Sequence, residues 1–461
     1  VEGWITNSVW GKPRAFGVDA VTLYVVLRKN SSSYIKQTGC MPCTFTGHKL
    51  LVLPLHLSLF PLCMNHQPTV MGEFINDATT HGVPLNETSA EKLVNPATRL
   101  GTDEGIHPHQ DDTDIEETPV PFAIAIVGMA MRLPGGVSCQ KEFWDFLISK
   151  RDGLCKVPET RYNIDAFYEE SRPGSIRTQH GYFLEDDIRQ FDTEFFGISK
   201  IEAARLDPQQ RLLLEVTWEC MENGGQTGWR GKNIGCYVGV FGEDWLDLKI
   251  RDPQDHDRYR VIGAGPYALS NRVSYEYDLG GPSVTIQTAC SSSLVGLHEA
   301  CQALYSGECS SALVAGTNLI FTPTMSTSMS DNMVISKSGV CRTFDAAADG
   351  YGRGEAVNAI FIKPLDKALR AGDPVRAVIR SSAVNCDGKT PSIFTPGSAA
   401  QERLIRRAYK KAGLEVSSTA LFECHGTGTT VGDLAEASVV AKIFGDKGIH
   451  IGAVCSVIDV L

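Results

Sequence analysis

Basic charge is in short supply in this 461-residue chain: 43 lysines and arginines stand against 54 aspartates and glutamates, for a net charge of −11. Phosphate backbones demand a clustered basic surface, so nucleic acid is not the expected partner. Long apolar runs are lacking too. The nearest to one, Leu50 to Cys63, is interrupted by Pro54, His56, Ser58 and Pro61, short of the ~18 residues that a membrane span needs. It also lies too deep in the chain to be a signal peptide. The 14 cysteines lack the short, even spacing of a disulfide framework, which predicts reduced thiols and a cytoplasmic setting.

What remains is an ordinary globular composition, 43% hydrophobic and 21% charged, in a chain long enough for more than one core. Residues 1–63 carry no clear period and are expected to be a non-native or disordered leader, with Met64 or Met71 as the natural start. Cys40, Cys43, Cys63 and His66 formally have zinc-ligand spacing. The apolar Leu50-Leu-Val-Leu-Pro-Leu-His-Leu between the pairs makes a poor zinc loop, so no metal is expected. Residues 64–120 end in His109-Gln-Asp-Asp-Thr-Asp-Ile-Glu-Glu-Thr and read as an acidic flexible leader that does not pack on the core.

The pattern changes at Pro121. Phe122-Ala-Ile-Ala-Ile-Val-Gly is a continuous apolar run, the mark of a strand buried on both faces. Helices are predicted at 141–150, from Asp207-Pro-Gln-Gln-Arg onward, and over 398–412 and 433–444. Strands are predicted at 233–240, 311–316, 356–362, 375–383, 420–423 and 450–454. Such alternation implies an α/β protein with buried central sheets.

Two runs carry candidate chemistry. In Thr288-Ala-Cys-Ser-Ser-Ser-Leu, an apolar stretch (Val284, Ile286) stops at small residues. A helical pattern follows, with Leu294, Leu297, Ala300, Cys301 and Leu304 on one face. Cys290 therefore sits where a strand turns into a helix N-terminus, whose N–H groups favour a thiolate, the nucleophilic form. A cysteine taken alone is more often a buried structural residue. In Glu423-Cys-His-Gly-Thr-Gly-Thr, His425 follows a short strand in a loop of glycine and threonine. A neutral imidazole there can exchange a proton near pH 7 or polarise a thioester carbonyl, although a lone histidine is usually a satisfied core residue. Without a Gly-Lys-Ser/Thr ending the loop is not a P-loop.

Taken with Ile124-Ala-Ile-Val-Gly-Met-Ala-Met-Arg-Leu-Pro-Gly-Gly, Phe191-Asp-Thr-Glu-Phe-Phe-Gly-Ile-Ser and Phe344-Asp-Ala-Ala-Ala-Asp-Gly-Tyr-Gly-Arg-Gly-Glu, these runs resemble the β-ketoacyl synthase (ketosynthase) domain of type I polyketide and fatty acid synthases. The closest likeness is to the iterative, reducing type found in fungi. The resemblance covers about 122–461. It implies an α/β thiolase-like fold, layered α-β-α-β-α in two similar halves, at 121–355 and 356–461, the second incomplete. It implies a decarboxylative Claisen condensation in which Cys290 holds the acyl chain and its backbone N–H helps bind the oxyanion. His425 would stabilise the enolate of the malonyl thioester. No cofactor is bound by the domain itself. Phosphopantetheine arrives on an acyl carrier protein or domain bearing acyl and malonyl thioesters, and the complete domain would be a homodimer.

The chain departs from the family pattern in places. Gln287 stands where many members have aspartate, Leu434 replaces a proline and Cys424 an alanine. The family's second histidine lies in a Gly-Ser-Val-Lys-Ser-Asn-Ile-Gly-His run. Set against it, Gly452-Ala-Val-Cys-Ser-Val-Ile-Asp-Val-Leu puts Cys455 at the lysine and Val460 at the histidine. The resemblance thus predicts a truncated and inactive condensing enzyme, with His298 the nearest substitute histidine to the nucleophile. The rival readings are a non-catalytic acyl-binding or dimer-interface fragment and, less favoured, a thiolase.

Overall fold

The structure, a computed structural model, describes residues 21–28, 50–53, 120–251, 254, 258–453. The zinc-spaced cysteines, the acidic stretch before 120 and the 454–461 segment with Val460 lie outside the described residues.

Twelve strands occur among the described residues: β1 (Val21–Arg28), β2 (Leu50–Leu53), β3 (Ile124–Arg132), β4 (Leu154–Lys156), β5 (His180–Tyr182), β6 (Ile234–Val240), β7 (Ser283–Ile286), β8 (Ser311–Asn318), β9 (Ala356–Pro364), β10 (Ala377–Cys386), β11 (Thr419–Glu423) and β12 (His450–Gly452). Helices of eight or more residues are α1 (Gln140–Ile148), α2 (Pro208–Asn223), α3 (Ala268–Glu276), α4 (Ser292–Ser306), α5 (Thr324–Asp331), α6 (Ser398–Ala412) and α7 (Thr430–Phe444). Each strand and helix predicted from 121 onward is present, with ends shifted by a few residues, as fraying ends usually are.

The predicted two-faced burial of β3 holds. Ala125 and Val127 enter one core with Leu213, Leu214 and Val216 of α2. Ile124 and Ile126 enter a second core, with Leu294, Leu297, Ala300, Cys301 and Leu304, the face foreseen for α4. Asp207 caps α2, accepting the Gln209 N–H at 2.9 Å, and Pro208 takes the first helical position, where a missing N–H costs nothing. A third core joins α6 and α7 around Phe422 of β11.

Ten strands form one sheet in the order β12-β11-β2-β1-β10-β3-β9-β8-β6-β7. It has two similar halves, which meet where Ala377–Ile379 of β10 pairs antiparallel with Ile124–Ile126 of β3. Outward from that joint one half runs β3-β9-β8-β6-β7, and its successive pairings are antiparallel, antiparallel, parallel, parallel. The other half runs β10-β1-β2-β11-β12 with the same succession. α2 packs on β3 and β9 as α6 packs on β10 and β1. Because β9 pairs with β3 and β8, the first half-sheet extends past the expected boundary at 355.

The structure adds to the expectation for 1–63, a non-native or disordered leader: β1 and β2 pair within the sheet. Val21-Thr-Leu-Tyr-Val-Val-Leu is rich in β-branched and aromatic strand formers, but without strict alternation it presents no period.

Candidate active site

Cys290 lies in the turn from β7 to α4, part-exposed, as the sequence places it. A mesh of hydroxyls holds the turn. The Ser292 hydroxyl accepts the Thr288 N–H at 2.8 Å and faces the carbonyls of Ala289 (2.6 Å) and Val240 (3.2 Å). Ser291 donates to Thr288. Ala289, immediately before the cysteine, has φ +54°, a left-handed conformation that a residue with a Cβ adopts only when its surroundings impose it. Those surroundings include β6. A Cβ on Gly239 would lie 2.2 Å from the Ser293 backbone nitrogen, so only glycine lets the first turn of α4 seat on the strand. Gln287 donates to Glu243 at 2.6 Å, tying the start of the turn to the helical segment Asp244–Ile250.

The buried cysteines among the described residues contrast with this one. Burial pushes the thiols of Cys236 and Cys301 up to about 12, and those of Cys220 and Cys424 well above their ordinary range. They are inert at neutral pH. Cys139 and Cys386 are exposed; Cys139 is the N-cap of α1 and Cys386 ends β10, and neither follows a left-handed residue as Cys290 does.

His425 follows β11 in a loop held by two buried carboxylates of α7. Glu436 accepts the His425 N–H at 2.7 Å and the Gly426 N–H at 3.0 Å. Asp433 accepts from Gly428 (3.0 Å) and from Phe344 (2.7 Å). Burial pushes Glu436 up to about 7, against the pull of its two N–H donors, and raises Asp433 as well. The two carboxylates stand three residues apart on one helix, a spacing that puts them on one face. Both follow the glycine-threonine run in the sequence, but their service to the loop is not visible there. Gly426, at φ +56°, packs where a Cβ would meet Ala453 and Thr343.

The 344–355 run braces this loop rather than reacting. Gly350 donates to the Gly428 carbonyl at 2.9 Å, Thr343 donates to the Gly426 carbonyl, and Glu355 is buried in an ion pair with Arg161 at 2.7 Å. The 207–211 run is likewise structural: Gln210 donates to the Ile262 carbonyl at 2.9 Å.

His298 holds two elements together. Its Nδ1 lies 2.9 Å from the Ser382 hydroxyl, bridging α4 to β10. Burial first, then Lys411 and Arg407, lowers it to about 4. It sits about 9 Å along the helix from Ser292, in a structural contact. Among the described residues no group of three or more histidines, cysteines or acids is placed to hold a metal ion, and no helix is long and apolar enough to cross a membrane.

A cysteine at a strand-to-helix turn in one half and a histidine loop at the end of a parallel-paired strand in the other sit here on a thiolase-like fold. Solved ketosynthases share this fold. An oxazolomycin ketosynthase domain from Streptomyces albus superimposes with a TM-score of 0.67 at 32% identity, over 73% of this chain and 59% of that one. The ketosynthase from module 6 of the bacillaene synthase of Bacillus subtilis gives 0.66 at 34%, over 73% and 57%.

The chain belongs to the β-ketoacyl synthase family, a family of transferases. Its N-terminal domain profile matches residues 122–368 and its C-terminal domain profile residues 376–458. Among curated relatives, the highly reducing polyketide synthase g433 of a Fusarium species is 54% identical over 77% of this chain. Highly reducing polyketide synthase gloL of Glarea lozoyensis is 55% identical over 72%. The chain spans only 14% and 13% of those two proteins.

Proposed function

We propose that this chain is a ketosynthase segment of a highly reducing polyketide synthase. The reaction its residues serve in the complete domain is extension of an acyl chain by decarboxylative Claisen condensation. The Cys290 thiolate attacks the carbonyl of an acyl thioester on the phosphopantetheine arm of a carrier. The carrier C–S bond breaks, its phosphopantetheine leaves as a thiolate, and the acyl group remains on Sγ. Malonyl on a carrier then loses CO₂, and the bonding pair left on its α-carbon is held as an enolate whose oxygen accepts a hydrogen bond from His425. The α-carbon attacks the acyl-Cys290 carbonyl, the C–S bond breaks, and the thiolate is regenerated while the β-ketoacyl product stays on the carrier. The Cys290 N–H, at the start of α4, supports the oxyanion in both acyl-transfer steps.

One observation carries this reading: the strained, glycine-seated turn that presents Cys290 at the head of α4. It serves a nucleophile and would be wasted on a structural thiol.

The test is CO₂ release from malonyl-carrier, together with mass detection of acyl-Cys290. Cys290→Ala should abolish acyl loading. His425→Ala should load normally and lose at least ~100-fold in decarboxylation, the usual scale for one such group. Acyl loading with no CO₂ release from the unaltered chain would favour the acyl-binding alternative.

A further inference from the structure

β4 and β5 form a two-stranded ribbon apart from the main sheet. Main-chain bonds tie β5 to the 353–355 run: the Tyr182 N–H donates to the Arg353 carbonyl and the Glu355 N–H to the Tyr182 carbonyl, both at 2.8 Å. Between ribbon, run and α5 lies a cavity of about 20 Å³, room for one water-sized guest. Val157, Ile176, Phe183 and Ile320 make its surroundings apolar. Arg353 lines it with only 5% of its surface exposed. Its Nη1 donates to Ser326 Oγ of α5 at 2.8 Å, while Nη2 is buried without a partner among the described residues. The two carboxylates that bear on this space, Glu355 and Asp244, are already engaged. Glu355 pairs with Arg161 and accepts the N–H groups of Leu184 and Ile320. Asp244 accepts those of Phe321 and Thr322. A guanidinium so buried needs an opposing charge or a full set of acceptors.

We propose that this cavity binds one small monovalent anion of halide size, held by Arg353 and the hydroxyls of Tyr162, Ser326 and Thr178, and that the anion ties α5 to the ribbon. The polar side chains that line the cavity are these four and His180. All of them can donate a hydrogen bond, and none is a carboxylate. Ser326 already accepts from Arg353, and Thr178 accepts the His180 N–H at 3.2 Å. Each hydroxyl proton is therefore left to turn towards the guest. Burial raises the Tyr162 phenol against the pull of Ser326 and Arg353, so it stays protonated and adds a third hydroxyl donor. A water guest would have to place two protons of its own among these donors. An anion has none to place, and in an apolar setting its attraction to the guanidinium is strong. The size of the space excludes phosphate, sulfate and acyl carboxylates.

The test compares thermal unfolding of the full chain in sodium chloride and in sodium gluconate, an anion too large for the cavity, at equal ionic strength. Chloride should raise the midpoint by about 2 °C for each tenfold increase above its dissociation constant. Arg353→Met should abolish this dependence. Tyr162→Phe keeps the ring and loses one donor, so it should weaken chloride binding about tenfold, and it reads the site even if Arg353→Met does not fold. In crystals grown with bromide, an anomalous signal should lie within hydrogen-bonding distance of Arg353 Nη2. Equal midpoints in the two salts, or the same chloride response in Tyr162→Phe as in the unaltered chain, would overturn the proposal. So would a water at Nη2 with no bromine signal, or bromine found only at the surface, which is an adventitious ion only.

Discussion

Cys290 and His425 both leave the end of a parallel-paired strand, β7 and β11, but they are held by different chemistry. Hydroxyls, a left-handed alanine and bare backbone packing on Gly239 fix the cysteine turn. None of these gains or loses a proton near neutral pH. The histidine loop hangs on Glu436 and Asp433, two buried carboxylates raised by burial. Cys290 is therefore set by shape and His425 by titratable groups. The two sites should answer differently to mutation and to pH.

The largest effect should come from shape. Gly239→Val would drive a side chain into the backbone of Ser292 and Ser293, costing about 3 kcal/mol or more. Thermal unfolding should show a much lower midpoint, and acyl loading should be lost. Retention of both would mean that α4 is not seated on β6 as described.

Next comes Glu436→Ala, which leaves the buried N–H groups of His425 and Gly426 without their acceptor, at about 1–3 kcal/mol for each group. Acyl loading at Cys290 should persist while malonyl decarboxylation falls sharply. Equal loss of both would erase the distinction between the two sites.

A smaller effect is the pH dependence. Glu436 has its folded value raised from 4.5 to about 7, so the fold favours its protonated form. Stability from this group is fully present below about 4.5 and is lost as pH rises towards 7, because the charge must then be held in a buried place. Glu436→Gln should flatten the unfolding free energy across that window, measured by denaturant titration at several pH values. An unchanged slope would assign the titration elsewhere.

The smallest effect is expected at His298→Asn, which replaces the buried link to Ser382. It should cost about 1 kcal/mol and leave acyl loading intact. A loss of loading would place His298 in the chemistry rather than in the α4–β10 contact.

Much of this contrast was legible in the sequence, though unevenly. The buried run of β3, the capped start of α2 and the single apolar face of α4 are periodic features, and they appear as expected. Cys290 and His425 stand at the strand ends where their runs place them. The carboxylates behind His425 were not assigned, because a helical Asp-x-x-Glu looks the same whether it faces solvent or a loop. β1 and β2 were missed because pairing between residues 21–28 and 378–386 is a long-range fact that no local period reports.

The most direct test of the account is competitive acylation of the full chain with an acyl thioester at neutral pH, read residue by residue by peptide mapping. Cys290 should be acylated at least tenfold faster than the exposed Cys139 and Cys386, and buried Cys236, Cys301 and Cys424 should stay unmodified. Acylation of Cys139 or Cys386 at the rate of Cys290, or an unchanged acyl load in Cys290→Ala, would contradict the claim that the β7–α4 turn is built for a nucleophile.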